Sequence, residues 1–103
     1  MSYDELSEYA MQIIANSGMS RSSSMQAIQF AKKGNFEKVE ECMKEADKYY
    51  LEAHEIQTSL IVKETSSEEK IILNLIMVHA QDHLTMALLT KDLAKEIIEL
   101  HKK

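Results

Sequence analysis

Two histidines, His79 and His83, stand four residues apart in a segment rich in helix-forming residues. On an α-helix this spacing turns about 40° around the axis, so both rings lie on one side. Such a pair suits three chemistries: accepting a phosphoryl group, binding zinc, or transferring protons as a general acid and base. Two hydrogen-bonded histidines at an interface would have the same spacing, so spacing alone leaves four interpretations open.

Two of these chemistries need groups that the neighbouring positions do not obviously supply. Zinc requires a third and a fourth ligand, and the familiar His-Glu-x-x-His motif has glutamate where this chain has Ala80. Hydrolysis requires a nucleophile, an oxyanion site and a pocket, which a compact helical bundle of this length does not obviously offer. Spacing by itself therefore favours a structural role for the two histidines at an interface.

The elements that carry these residues are expected to be long helices. The 103 residues include no proline and only two glycines, so almost nothing interrupts a helix, and a chain of this length forms one domain, residues 1–103. Short turns between three helices imply an up-down-up bundle, which is an all-α fold. The predicted helices span about 3–32, 36–64 and 67–101.

Capping signals set these boundaries. Ser2 with Glu5 forms a capping box at the start, and Ser66 with Glu69 offers a second one before the third helix. Between the first two helices, Gly34 suits a left-handed C-terminal position and Asn35 suits the next N-cap. A glycine and several serines in residues 18–24 weaken the first helix, and its continuity there is left open.

The third predicted helix is apolar on two opposite sides. One stripe contains Leu75, Val78, Leu89, Leu93 and Leu100, with Asp82 in its middle. The opposite stripe contains Leu73, Met77, Ala80, Leu84, Ala87 and Ile98. A small bundle buries one such side and leaves the other as a large apolar patch. We therefore expect the C-terminal helices of several copies to associate, as in a parallel coiled coil.

Asp82 is an unusual residue for the middle of an apolar seam. A buried carboxylate is costly unless it is paired, protonated or bound to a cation. Several copies of Asp82 converging on a symmetry axis would attract a divalent metal with oxygen ligands, and Mg²⁺ is the candidate. In the alternative interpretation the stripe is wider, and Asp82 points to its solvent edge.

Charge and cysteine content exclude several classes of protein. The 17 acidic and 12 basic side chains give a net charge of −5, which argues against nucleic acid and anionic lipid as partners. No basic run precedes an apolar stretch, and no apolar run approaches the ~20 residues that span a bilayer, so a cytoplasmic protein without membrane insertion is expected. Cys42 has no second thiol to pair with and is interpreted as structural.

Four segments together resemble one known family. Residues 78–84 read Val-His-Ala-Gln-Asp-His-Leu and residues 91–100 read Lys-Asp-Leu-Ala-Lys-Glu-Ile-Ile-Glu-Leu. Upstream, residues 34–38 read Gly-Asn-Phe-Glu-Lys and residues 52–58 read Glu-Ala-His-Glu-Ile-Gln-Thr. They resemble the enzyme IIA component of the lactose/cellobiose-type sugar phosphotransferase system, over nearly the whole chain. The resemblance implies a three-helix bundle that forms a homotrimer through its C-terminal helices.

The resemblance also implies roles for individual residues. His79 is then the phosphoryl carrier of a phosphotransferase: it accepts phosphate from the histidine phosphocarrier protein and passes it to a cysteine of enzyme IIB. Enzyme IIB is linked to membrane enzyme IIC, which transports a disaccharide whose identity does not follow from this chain. Asp82 would lie at the threefold axis and can hold a metal ion. Gln81, His83 and Gln57 are candidates for the environment of the phosphohistidine.

Two rival classes remain at this level. A helical binding module would form an oligomer in which His79 is never modified. A metalloenzyme bundle would bind its metal through His79 and His83 in place of oxygen ligands.

Overall fold

The computed structural model describes all residues, Met1–Lys103, as three helices without a strand. Helix α1 spans Tyr3–Lys32, α2 spans Phe36–Ser66 and α3 spans Leu75–His101. The expected all-α, up-down-up bundle is therefore confirmed, and the molecule measures 53 × 21 × 16 Å. None of the three helices combines the length and the apolar character that crossing a bilayer requires.

Helix α1 is the central element, because it packs along both other helices, which touch each other little. Its buried face includes many small side chains: Ala10, Ser17, Ser20, Ser24, Ala27 and Ala31. The helix continues without a break through residues 18–24. Ser20 donates a hydrogen bond to the carbonyl oxygen of Ala46 on α2 at 2.8 Å, so one of the weakening serines becomes a tertiary contact.

The first two helices begin where the capping signals indicate. The Ser2 hydroxyl accepts a hydrogen bond from the backbone N–H of Glu5 at 3.1 Å, and the Asn35 side chain accepts one from Lys38 at 3.3 Å. Between them Gly34 has a φ of 75°, the left-handed conformation that its lack of a side chain permits. The predicted bounds of α1 are confirmed, and α2 extends to Ser66, slightly beyond residue 64.

The predicted start of the third helix at residue 67 is wrong, because α3 begins at Leu75. Ser66 does not cap it: this residue ends α2, and its hydroxyl donates to the carbonyl oxygen of Val62 at 2.7 Å. Asn74 is the N-cap, with its Oδ1 accepting from the Met77 N–H at 3.0 Å. Its Nδ2 also donates to the Ser7 hydroxyl on α1 at 3.1 Å, a contact that no local pattern reveals.

The connection between α2 and α3, residues 67–74, is held by contacts with the N-terminus of the chain and with the end of α2. The N-terminal ammonium of Met1 pairs with the Glu69 carboxylate, and this hydrogen bond holds the pKa of Glu69 below its ordinary value. The backbone N–H of Ile71 donates to the Glu64 carboxylate at 3.3 Å. The segment is therefore anchored without helical hydrogen bonds.

The core has two parts, one toward each end of the bundle. The first joins Leu6, Ala10, Ile13, Ala53, Met77, Ala80 and Leu84. The second joins Ala27, Ala31, Val39, Cys42 and Ile98. The inner stripe of α3 is thus buried as predicted, except for Leu73, which precedes the helix and is exposed. Burial, together with the charges of Glu45 and Glu41, raises the pKa of the free Cys42 thiol.

Replacement of Asn74 by Ala is expected to lower the free energy of unfolding by about 1 kcal/mol, because the first turn of α3 loses its cap. Chemical denaturation followed by circular dichroism measures the change. The matched control is Ser66→Ala, which removes the hydroxyl that local patterns select as a cap and should change stability by less than about 0.5 kcal/mol. The reverse order of the two effects would contradict the assigned start of α3.

Candidate functional site

His79 and His83 lie on one side of α3 with their rings in contact. Their Nε2 atoms are 3.0 Å apart, the ring centroids are 4.5 Å apart, and the ring planes cross at 85°. At this distance one Nε2 carries a hydrogen and the other accepts it, so the contact joins one donor ring and one acceptor ring. The side chain of His79 is exposed and that of His83 is half-buried. An accessible imidazole nitrogen with a hydrogen-bonded neighbour is a suitable nucleophile.

The two sides of α3 between its buried stripe and its exposed stripe are called its flanks, and the histidines lie on one of them. Gln81 lies on the other flank, about 200° around the helix from either histidine. Its side-chain oxygen accepts a hydrogen bond from the Gln57 amide on α2, and its own amide donates to the sulfur of Met77 at 3.4 Å. Within one subunit these glutamines therefore bond to each other and not to His79. Their role beside a phosphohistidine stays a prediction.

Asp82 lies in the middle of an exposed apolar stripe on α3. The stripe consists of Leu75, Val78, Leu89, Leu93 and Leu100, of which Val78 is the least exposed at 46%. Asp82 is itself exposed and forms no ion pair. No group of three or more histidine, cysteine or acidic side chains in the chain could hold a metal ion. One subunit thus offers a single carboxylate at this position.

A cleft of about 300 Å³ lies between α2 and α3, next to this stripe. Its polar lining consists of Gln57, Glu64 and Gln81, with Asp82 at the side of the stripe. The remaining lining is apolar: Leu6, Leu60, Ile61, Ile71, Leu73, Met77 and Val78. The glutamine pair and the histidine pair consequently occupy opposite flanks of the same helix.

The two other histidines do not join this site. The ring of His54 packs against Tyr50, with centroids 5.7 Å apart, and His101 ends α3.

Sequence reasoning missed an ion pair between α2 and α3. The Lys91 ammonium lies 2.6 Å from the Asp47 carboxylate and 4.7 Å from the centroid of the Tyr50 ring, and the lysine side chain is only 10% exposed. A signal existed, because Lys91 falls on the buried stripe of α3 between Ala87 and Ala94. A lysine on such a stripe requires a carboxylate partner.

The fold and the site first define a class of protein. This class is an all-α, three-helix domain whose last helix presents a histidine pair beside an uncovered apolar stripe. The profile of the family described as "PTS system, Lactose/Cellobiose specific IIA subunit" matches residues 8–102. The chain therefore belongs to the lactose/cellobiose-specific enzyme IIA family and is a component of a sugar phosphotransferase system, as the resemblance implied.

Individual relatives agree with this family. The lichenan-specific phosphotransferase enzyme IIA component of Bacillus subtilis is 44% identical over 100 residues, which are 97% of this chain and 90% of that protein. The crystal structure of PtcA from S. mutans has a TM-score of 0.92 and 39% identity, and the match covers 100% of both chains. The chitobiose enzyme IIA of Escherichia coli, solved in complex with HPr, has a TM-score of 0.81 and 39% identity over 94% of this chain and 93% of that one.

Breaking the Asp47–Lys91 pair from its two sides should have unequal effects. Asp47→Asn leaves a buried ammonium without its anion and is expected to lower the free energy of unfolding by about 1–2 kcal/mol, since the half-exposed carboxylate is partly screened. Lys91→Met keeps the apolar stem and removes the buried charge, so a change within about 1 kcal/mol is expected. Urea denaturation of both variants tests this asymmetry, and equal losses would contradict it.

Proposed function

We propose that this protein is the phosphoryl carrier of a bacterial sugar phosphotransferase system and that His79 bears the phosphate. The observation that carries the proposal is the exposed imidazole of His79 in Nε2-to-Nε2 contact with His83, in a chain of the enzyme IIA family. This arrangement supplies a nucleophilic nitrogen that a large protein partner can reach.

The proposed donor is the histidine phosphocarrier protein. A solved relative, the chitobiose enzyme IIA, forms a complex with HPr, which supports this choice of partner. Nε2 of neutral His79 attacks the phosphorus in line with the leaving nitrogen of the donor. The new N–P bond forms while the old one breaks, and the electron pair of the old bond stays on the donor imidazole, which takes up a proton. Alignment and charge balance on the equatorial oxygens carry most of such a transfer.

The proposed acceptor is a cysteine of enzyme IIB, whose thiolate attacks the phosphorus on His79 in the same manner. The sugar is then phosphorylated during transport by enzymes IIB and IIC. The substrate class is a disaccharide of the lactose/cellobiose type. Since relatives of this chain are named for lichenan and for chitobiose, the choice of sugar is assigned to the membrane partner.

His83 is proposed as a positioning residue beside the phosphorylated nitrogen. Its Nε2 lies 3.0 Å from Nε2 of His79, so an N–H there can hold the neutral ring before transfer and can turn to a phosphoryl oxygen afterwards. The contact also requires that the two rings do not both present N–H groups to each other. When His83 is the donor, Nε2 of His79 carries no hydrogen, and its lone pair becomes free to attack once the contact opens.

We further propose a homotrimer assembled through the exposed stripe of α3. In a cyclic oligomer with this stripe at the axis, one flank of each helix meets the opposite flank of the next. The histidine flank of one subunit would therefore face the Gln57–Gln81 flank of its neighbour. This arrangement supports the prediction that both glutamines belong to the phosphohistidine environment, because the neighbouring subunit supplies them.

Asp82 is proposed to hold a divalent cation, with Mg²⁺ as the candidate, at the trimer axis. Its carboxylate is exposed, unpaired and centred on the stripe, and oxygen donors suit this ion. One subunit cannot supply enough ligands, so the symmetry-related Asp82 residues would share the ion. Its contribution would be structural, because it would balance carboxylates that association brings together.

A phosphorylation assay tests the role of His79. The protein is incubated with phosphoenolpyruvate, enzyme I and the phosphocarrier protein, and intact mass should show an acid-labile gain of one phosphate. His79→Gln is expected to abolish the gain and leave the oligomer intact, while His83→Gln should slow the transfer without abolishing it. Phosphate on the His79→Gln variant would refute the assignment, and no phosphate on the wild type would refute the proposed function.

Asp82→Leu tests the assembly. It is expected to preserve or raise the stability of the trimer, because an apolar residue replaces a carboxylate in the seam, and to eliminate binding of Mg²⁺. Sedimentation equilibrium measures the mass, and isothermal titration measures the metal. Asp92→Leu, outside the stripe, is the control. A monomeric Asp82→Leu variant would count against the stripe as the subunit interface.

A further inference from the structure

The Nε2 atoms of His79 and His83 are close enough to share a metal ion in place of a hydrogen. Imidazole nitrogens lie about 2.0–2.1 Å from a bound zinc ion. With bonds of that length, two nitrogens 3.0 Å apart subtend an angle of about 91–97° at the metal. The two rings therefore have the spacing of a bidentate ligand before any ion binds, and they need only turn until both lone pairs face one point.

This angle distinguishes among the divalent metals that imidazole binds. A tetrahedral site, which zinc prefers, requires about 109° between two ligands. Square-planar and tetragonal sites, which Cu²⁺ and Ni²⁺ prefer with nitrogen and oxygen ligands, require about 90°. Of these two ions, Cu²⁺ binds a given set of ligands more tightly. The separation of the two nitrogens thus favours Cu²⁺.

A thioether lies on the same side of α3, one turn beyond the histidines. Met86 follows His83 by three residues, so the two side chains are neighbours on the helix surface. Helical side chains lean toward the N-terminus of their helix, which brings Met86 toward the pair. Its side chain is 43% exposed. Because methionine sulfur serves as a long, weak axial ligand in copper sites, Met86 adds a donor that suits this ion.

The site is an open one, in which water fills the remaining positions of the ion. His79 is exposed and His83 is half-buried, so solvent reaches both nitrogens. The chain has no group of three or more histidine, cysteine or acidic side chains that could enclose a metal. A closed structural site is therefore excluded, and an ion held by two imidazoles and water exchanges with solvent.

The other strong copper donors of the chain are less well placed. His54 and His101 are single imidazoles, with no second histidine one turn away. The Cys42 thiol is buried, and the N-terminal amine of Met1 pairs with the carboxylate of Glu69. The pair on α3 is consequently the only place where two such donors converge.

We propose that His79 and His83, with Met86 as a weak third ligand, form a Cu²⁺ site that switches off phosphoryl transfer. The ion occupies the Nε2 lone pair of His79, which is the pair that must attack phosphorus, so copper and phosphate exclude each other. The ion acts as an inhibitor and keeps its oxidation state. Binding follows from the geometry of the pair, whereas inhibition rests on the proposed function of His79.

Spectroscopy of the bound ion tests the site. Cu²⁺ is added to the purified protein without reductant, and electron paramagnetic resonance should show one tetragonal ion per subunit with two nitrogen ligands. His79→Gln and His83→Gln each leave one imidazole and are expected to weaken binding about a hundredfold, because the chelate is lost. Met86→Leu should weaken it about threefold. Ni²⁺ should bind more weakly than Cu²⁺ and zinc more weakly still; tighter binding of zinc would contradict the geometric choice.

Matched variants separate this site from other donors. His101→Gln removes a histidine outside the pair, and Asp82→Leu removes the carboxylate proposed for Mg²⁺; both should keep the wild-type affinity for Cu²⁺. Excess Mg²⁺ should not displace the copper. Loss of the signal in Asp82→Leu would assign the ion to the subunit interface, and an unchanged signal in both His79→Gln and His83→Gln would assign it elsewhere. Either result would overturn the inference.

Phosphate transfer is then measured on copper-loaded protein from which unbound ion has been removed. Phosphorylated phosphocarrier protein is the donor, so enzyme I never meets the metal. Transfer should stop when one Cu²⁺ is bound per subunit and return after EDTA removes it. His83→Gln, which retains little copper after the same treatment, should transfer at the same rate with and without it.

The two proposals fail in different ways. Normal transfer by copper-loaded wild type would overturn the inhibition. If the proposed function is wrong, the copper-free wild type accepts no phosphate, and the binding of Cu²⁺ by the histidine pair is unaffected.

Discussion

The packing of α1 between the two other helices is the constraint on which the rest of the structure depends. Small side chains on its buried face allow α2 and α3 to approach α1, while these two helices touch each other little. Helix α3 consequently buries only its inner stripe. Its outer stripe and the flank that carries the histidine pair stay open.

Polar contacts between α2 and α3 come from the buried stripe of α3 and from its flank opposite the histidines. The buried Lys91 pairs with Asp47, and Gln81 bonds to Gln57. A buried ammonium or amide without such a partner is costly, so these contacts hold the orientation of α3 relative to α2. The orientation in turn directs His79 into open surface, where a protein partner can approach it.

The placement of the histidine pair and the glutamine pair on opposite flanks of α3 has a chemical consequence in the proposed trimer. Within one subunit, the histidine pair and the glutamine pair are separated by the width of a helix. Association around the outer stripe would bring a histidine flank and a glutamine flank together without changing the fold of either subunit. Oligomerisation would then serve the transfer site as well as stability.

Local signals in the sequence determined the number of helices, the ends of the first two and the apolar stripes of α3. These features depend on side chains within one or two turns, as with the caps at Ser2 and Asn35. The beginning of α3 is different: Ser66 with Glu69 is as good a local cap as Asn74, and the contact of Asn74 with Ser7 decided between them.

At the site, too, local spacing was not enough. It placed the two histidines on one side of a helix, but only the family motif distinguished among their possible chemistries. Only the tertiary structure joined Lys91 to Asp47 and turned the glutamines away from His79, because such contacts link residues that are distant in the chain and arise only when the helices pack.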